Sequence, residues 1–297
     1  MFPTVETRKK LRTIVDRREA VIVPGAPNAL FAKVIEDVGF EAVYVTGAGI
    51  ANMHLGVPDI GLVAVTELAE ITSAITDAVA LPVIVDADTG FGNPVNVVRT
   101  IKLLERAGAA AIQLEDQVFP KKCGHFSGKD VIPLNEMLEK IKAAVDTRTD
   151  SNLLVIARTD ARAVHGFEAA IERAQAFAEV GADMTFVEAP TEEAELRKIP
   201  RQIAVPQVAN IVFGGLTPEM PRAMLKDMGF SVVLYANAAL QAALKAAYEV
   251  MTALKTDGSL RNVESRLASF DERQRAVDKN KFDELEQLYR TGGFKVS

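Results

Sequence analysis

The sequence predicts an α/β protein built as a closed (β/α)8 barrel of the TIM type, with extra C-terminal helices. Three observations carry this. Eight short β-branched or apolar runs recur along the chain, at Val21–Pro24, Ala42–Thr46, Pro82–Asp86, Ala110–Glu115, Leu153–Arg158, Met184–Glu188, Gln207–Ile211 and Val232–Tyr235. Between them lie segments with apolar residues at i, i+3, i+4 and i+7, clearest at Val97–Ala107, Met137–Val145 and Phe167–Val180, which is the period of an amphipathic helix. Several of these segments close on glycine, at Gly39, Gly108, Gly181 and Gly229, as helix ends do because glycine accepts positive φ at little cost.

Short continuous apolar runs alternating with helices imply parallel strands buried on both faces. Eight of them imply closure into a barrel rather than an open sheet. A doubly wound sheet would carry a glycine fingerprint after its first strand, and Pro24-Gly25-Ala26-Pro27-Asn28 is not one. Ahead of the first strand, Thr4–Arg18 reads as a charged amphipathic helix within an N-terminal segment 1–18. After the eighth come a helix at Ala238–Thr256, a break at Asp257-Gly258 and charged helical material to Tyr289. Residues 1–297 are therefore expected to form a single barrel domain, with 238–297 as a helical extension that embraces a neighbouring subunit.

Composition narrows the function. The chain is 48% hydrophobic and 25% charged, and 34 basic against 40 acidic residues give a net charge of −6, which argues against nucleic-acid binding. One cysteine cannot form an internal disulfide, so nothing calls for an oxidising compartment. The N-terminus shows no apolar core of signal-peptide length, and no run approaches the ~18 apolar residues of a membrane span. The expectation is a cytoplasmic protein without membrane association.

Chemistry in such barrels sits at the C-terminal strand ends. The polar residues there are Tyr44, Thr46 and Gly47 after the second run, Asp86 and Asp88 after the third, and Glu115 and Asp116 after the fourth. Arg158, Thr159 and Asp160 end the fifth, Glu188 the sixth and Asn210 the seventh. Asp86, Asp88 and Glu115 form a hard-oxygen cluster that suits magnesium, an ion that keeps several waters and takes one or two carboxylates directly. His54, His125 and His165 are isolated and lack zinc spacing; His54 and His165 read as surface residues. Arg158 can grip a carboxylate through two parallel bonds or serve as a buried partner of Glu188 or Asp160. Thr46-Gly47-Ala48-Gly49 offers backbone N–H groups to an anionic oxygen. Cys123 follows Lys121 and Lys122, and a thiol beside cations ionises more readily; Gly124 and Gly128 leave its loop free to move. Metal, arginine and N–H turn together describe a site for an α-keto or α-hydroxy acid.

These residues also carry a resemblance. Lys121-Lys122-Cys123-Gly124-His125, with Asp86-Ala87-Asp88-Thr89-Gly90-Phe91-Gly92, Leu114-Glu115-Asp116-Gln117, Ala157-Arg158-Thr159-Asp160-Ala161 and Val187-Glu188-Ala189, resembles the isocitrate lyase/phosphoenolpyruvate mutase superfamily from about Val21 to Leu240. The Lys-Lys-Cys-Gly-His loop is similar to that of the carbon–carbon lyase branch, the methylisocitrate and dimethylmalate lyases. The resemblance implies a magnesium-dependent (or manganese-dependent) lyase that cleaves a small 2-hydroxy di- or tricarboxylate to pyruvate or glyoxylate plus a carboxylic acid. It implies a homotetramer, a dimer of dimers, with a C-terminal helix exchanged between neighbours. Asp88 would touch the metal most directly, with Asp59, Asp86 and Glu115 holding its waters. Tyr44, Thr46, Gly47, Ala48 and Arg158 would bind the pyruvate-like half, with Glu188 and Asn210 lining the far side of the pocket. Cys123 would be the general acid, Lys121 and His125 would set its environment, and Tyr44 is a candidate base. Tyr235-Ala236-Asn237-Ala238 departs from the Tyr-Pro-Leu-Ser-like stretch of methylisocitrate lyases, which leaves dimethylmalate-like acids open as substrates. The alternatives are a carboxyphosphonoenolpyruvate phosphonomutase-type enzyme and a catalytically silent keto-acid-binding barrel.

Overall fold

The computed structural model describes residues 5–124 and 128–290. The chain divides into two compact units, Met1–Leu240 and Gln241–Ser297. All eight expected runs are strands: β1 Val21–Ala26, β2 Val43–Val45, β3 Val83–Asp86, β4 Ala111–Glu115, β5 Leu154–Thr159, β6 Met184–Val187, β7 Gln207–Asn210 and β8 Val232–Tyr235. They pair in sequence order as a closed barrel, and the parallel register Val21↔Val232 to Pro24↔Tyr235 joins first strand to last. That seam depends on Gly25, where an added Cβ would stand 1.9 Å from the Ala236 carbonyl oxygen.

Strand alternation sorts the apolar residues into two layers. Val83, Val85, Ile112, Leu114, Val155 and Ala157 pack outward against helix residues such as Leu68, Ile101, Leu104, Met137 and Phe177. Ile84, Ile156, Phe186, Val208 and Leu234 cluster inside, together with Leu11 and Val15 of the N-terminal helix Val5–Asp16. Each aliphatic side chain so buried contributes about 1.5–3 kcal/mol. The N-terminal helix is fastened by Arg8, which donates to the carbonyls of Glu105 at 2.8 Å and Ala109 at 3.0 Å and to Asp150 at 3.1 Å.

The clearest helical segments appear as Pro94–Arg106, Leu134–Thr147 and Phe167–Glu179. Gly39, Gly108, Gly181 and Gly229 follow helices with left-handed φ of 95, 96, 114 and 102°. The second unit continues the helix Ala238–Asp257 into a 3-10 turn at Arg261–Arg266 and helices Phe270–Ala276 and Lys279–Arg290. Leu244, Tyr248 and Met251, spaced as one helical stripe, are exposed. Among the described residues no helix is long and apolar enough to cross a membrane.

Candidate active site

Alternation also decides where the paired acids after β4 point. Gln113 and Glu115 face inward, whereas Asp116 turns out of the barrel mouth. There it accepts from Thr159 Oγ1 at 2.7 Å, the Asp160 amide at 2.9 Å and Arg173 at 2.8 Å. Asp116 is thus a structural anchor, and Glu115 belongs to the site.

After β3 the chain places two carboxylates together. Asp88 adopts a left-handed φ of 46°, a conformation aspartate tolerates better than most residues. Its amide donates to Asp86 Oδ1 at 3.2 Å, and its carbonyl accepts from the Glu115 amide at 2.8 Å. Gly47 supplies the remaining wall. A Cβ there would lie 3.2 Å from both Asp86 Oδ2 and Asp88 Oδ1. Thr46-Gly47-Ala48-Gly49 is not the open glycine turn expected from the sequence. Thr46 N-caps a short helix, Gly47–Ile50, accepting from the Gly49 amide at 3.2 Å, so the side chain itself takes one of the free N–H groups.

Lys121 enters this cluster. Its ammonium is 2.5 Å from Asp59 Oδ1 and 2.7 Å from Asp88 Oδ1, while Lys122 Nζ donates to the Gly128 carbonyl at 2.8 Å. Burial works against the Lys121 cation, but Asp88, Glu115, Asp86 and Asp59 outweigh it and push its pKa up.

Arg158 meets acids from three strand ends. Nε and Nη2 fork onto Asp160 at 2.9 and 3.1 Å, Glu188 Oε2 lies 3.3 Å away and Glu115 Oε2 3.4 Å. The guanidinium stacks 5.1 Å over the Phe186 ring. The arginine is a buried ion partner and also lines the cleft.

That cleft is small, with a cavity volume of about 40 Å³, and opens to solvent. Tyr44, Thr46, Ala48, Asp59, Asp86 and Lys121 line one part, and Cys123, Arg158, Glu188 and Asn210 another. Lys122, Gly124, Phe186, Val212, Leu234, Ala236 and Asn237 complete its wall. Leu234 and Phe186 were legible as inward strand positions and Asn237 lies in the stretch after β8 that the sequence singles out; Val212 follows a strand and carries no sequence signal of its own. Gly47, Asp88 and Glu115 adjoin the cleft through these neighbours. His54 and His165 are exposed, and His125 lies outside the described residues.

Tyr44 is buried and hydrogen-bonded to Asp86, and burial followed by the Asp86 charge pushes its phenol well above the ordinary value. It holds its proton at neutral pH, so it is not a standing phenolate base.

The acids do not form a ready-made chelating cage. Among the described residues no three His, Cys, Asp or Glu side chains converge at metal-holding spacing, because Lys121 occupies the space between Asp59 and Asp88. The chemistry nonetheless fits magnesium. Glu115 Oε1 is buried without a hydrogen-bond partner, while Asp88 Oδ1 faces the Lys121 ammonium at 2.7 Å. Burial raises the pKa of Asp88 to about 6 and that of Glu115 well above the carboxylate range. Two buried carboxylates with raised pKa values, one of them with an oxygen short of a partner, match an ion that binds one or two directly and the rest through water.

Comparison with known proteins places this arrangement. Residues 11–255 match the family model described as phosphoenolpyruvate phosphomutase. The chain is 44% identical over 288 residues to 2,3-dimethylmalate lyase of Eubacterium barkeri, covering 97% of this chain and 100% of that one. It is 46% identical over 257 residues to 2-methylisocitrate lyase of Aeropyrum pernix, covering 86% and 82%. A crystal structure of 2,3-dimethylmalate lyase superposes with a TM-score of 0.90 at 33% identity over 95% of each chain. Phosphonopyruvate hydrolase in complex with oxalate and Mg++ superposes at 0.85, with 31% identity over 95% of this chain and 99% of that one. The chain belongs to the phosphoenolpyruvate mutase/isocitrate lyase family, and its relatives place it among the lyases of that family.

Proposed function

We propose that the protein is a magnesium-dependent carbon–carbon lyase that cleaves a 2,3-dimethylmalate-like 2-hydroxy dicarboxylate to pyruvate and a carboxylic acid. The observation that carries this is one cleft in which Cys123, Arg158, Tyr44 and Asp86 all show a face. Val212, Leu234 and Ala236 give the cleft an apolar stretch of lining, beside the neutral Asn210 and Asn237, with Lys122 and Glu188 also on the cleft. That apolar stretch suits a methyl-bearing arm.

Arg158 binds the carboxylate of the pyruvate-like half, with Thr46, Gly47 and Ala48 facing its other oxygens. Asp88 would hold a magnesium ion most directly, with Asp59, Asp86 and Glu115 on its waters. When bound, that ion offsets the negative charge that builds on the α-oxygen. Tyr44 takes the 2-hydroxyl proton at its phenolic oxygen while passing its own proton to Asp86. The C2–C3 bond then breaks, leaving the electron pair on C3. The Cys123 thiol delivers its proton to that carbon, and the thiolate recovers one from the relay, so the net transfer is one proton from oxygen to carbon. We further propose a homotetramer built as a dimer of dimers with exchanged C-terminal helices; the exposed stripe Leu244, Tyr248 and Met251 supports burial against a second copy.

Purified protein with magnesium, offered 2,3-dimethylmalate, 2-methylisocitrate, isocitrate and phosphonopyruvate, tests the reading. Pyruvate release from dimethylmalate is expected. Release of phosphate from phosphonopyruvate with no cleavage of any hydroxy acid would refute it. Light scattering of the eluting protein should give four subunits, and a monomer would refute the assembly.

A further inference from the structure

We propose that Lys129, a residue outside the site set above, is a positioning residue that couples Arg158 to the backbone carrying Cys123. Its side chain is 2% exposed, and its ammonium donates to Asp160 Oδ1 at 2.8 Å and to the Gly124 carbonyl. Asp160 is the carboxylate that Arg158 grips with two nitrogens. One buried acid therefore links the arginine to the residue directly after the cysteine.

The backbone at Gly124 is also pressed against that arginine. A Cβ there would fall 2.4 Å from Arg158 Nη2 and 2.7 Å from Glu188 Cδ, so the chain approaches as only glycine allows. On the other side of Cys123, the buried Gln117 carboxamide donates to the Lys122 carbonyl at 2.8 Å and accepts from the Lys122 amide at 2.9 Å. This second clamp is local, since Gln117 pairs with Val131 at the base of the same segment. Lys129 alone of the two reaches the acid that the arginine grips.

Charge explains why a lysine is needed. Three carboxylates, Glu115, Asp160 and Glu188, face the single guanidinium of Arg158. Lys129 brings a second positive charge into this buried group, where unpaired charge is costly. A ligand carboxylate that draws Arg158 away from Asp160 leaves that acid to Lys129, and the pull is passed to the Gly124 carbonyl. Occupancy at Arg158 and the placement of the thiol are thereby one event.

The inference rests on the proposed function only for the roles of Arg158 and Cys123, and alkylation of the sole cysteine reads it without turnover. The full chain, with magnesium, is treated with iodoacetamide in the absence and presence of oxalate, for wild type, Lys129→Met, Lys129→Gln and Lys129→Arg. Oxalate is expected to slow alkylation of the wild type. In Lys129→Met the unliganded rate should change about fivefold or more and the oxalate effect should shrink by a similar factor, as expected when a group is misplaced by about an ångström. Lys129→Arg should recover most of both, and Lys129→Gln, which keeps a donor but not the charge, should recover the unliganded rate more than the oxalate effect. For the acid that is turned over, kcat should fall more than KM changes. Lys129→Met or Lys129→Gln matching the wild type in both alkylation measurements would overturn the coupling. An absent oxalate effect in the wild type would count against the Arg158 site instead, and the unliganded rates would then decide the role of Lys129 alone.

Discussion

The two ends of the barrel both bury clusters of charge, and they treat them in opposite ways. At the end where the strands begin, Glu105 accepts from the Thr149 amide and hydroxyl at 3.0 and 2.9 Å and from the Asp150 amide at 3.0 Å, with Arg8 3.5 Å away. Asp183 there accepts from Arg12 at 3.1 Å, from the Val155 amide at 2.9 Å and from Arg148. At the mouth, Glu115 Oε1 lacks a hydrogen bond and Asp88 Oδ1 meets the Lys121 ammonium rather than the backbone, and burial raises both pKa values. A buried acid whose lone pairs are filled by the chain holds the fold together; one left short is kept for something that is not protein.

The sharpest test of that contrast is at the thiol. Cys123→Ser should lower kcat about 10²–10⁴-fold, the range for loss of a positioned proton donor, while oxalate binding measured by calorimetry stays within a factor of a few. A serine variant with wild-type turnover would remove Cys123 from the chemistry. The two ends can then be exchanged in a single comparison. Asp88→Asn should lose magnesium binding and cut activity about 10²-fold or more, yet leave the urea midpoint of the metal-free protein unchanged or raised. Glu105→Gln should do the reverse, costing about 2–3 kcal/mol of stability by stranding buried donors with kcat per folded molecule intact. If both variants behaved alike, the division between the ends would be wrong.

Proton linkage gives a third measurement. Because Asp88 has its pKa raised to about 6, it is protonated below that pH and must release a proton to accept a metal. Magnesium affinity should therefore rise up to about tenfold per pH unit from 5 towards 6 and flatten above it, as titration calorimetry can read. The sign for the metal-free fold is opposite: a raised carboxylic acid favours the folded state at low pH, and that contribution fades as pH climbs through about 6. The smallest effect is expected at Gly47→Ala. Its Cβ would stand 3.2 Å from Asp86 and Asp88 oxygens, which should raise the magnesium requirement several-fold and move stability by less than about 1 kcal/mol.

Much of this was visible in one dimension. Continuous apolar runs such as Val83–Val85 and helix-period segments such as Pro94–Arg106 report burial directly, so all eight strands were placed within two residues. The cluster of polar strand ends was equally plain. What misled was proximity in sequence. Lys121 and Lys122 flank Cys123 on paper, yet their ammonium groups serve Asp59, Asp88 and the Gly128 carbonyl. Thr46-Gly47-Ala48-Gly49 reads as a loose turn, yet the threonine caps a helix. Glu115 and Asp116 look like a pair and face opposite ways, a split that strand alternation already foretold.

The sequence by itself determined the barrel, its strand boundaries and the set of polar residues at its mouth, because periodicity is a local property of the chain. Only the tertiary structure decided which of those acids are saturated and which are left wanting. Asp116 finds Thr159 and Arg173 at separations of 43 and 57 residues, and Lys129 finds Asp160 31 residues on. Such partners are chosen by closure of the barrel, which brings distant strand ends within hydrogen-bonding reach and leaves no trace in local spacing.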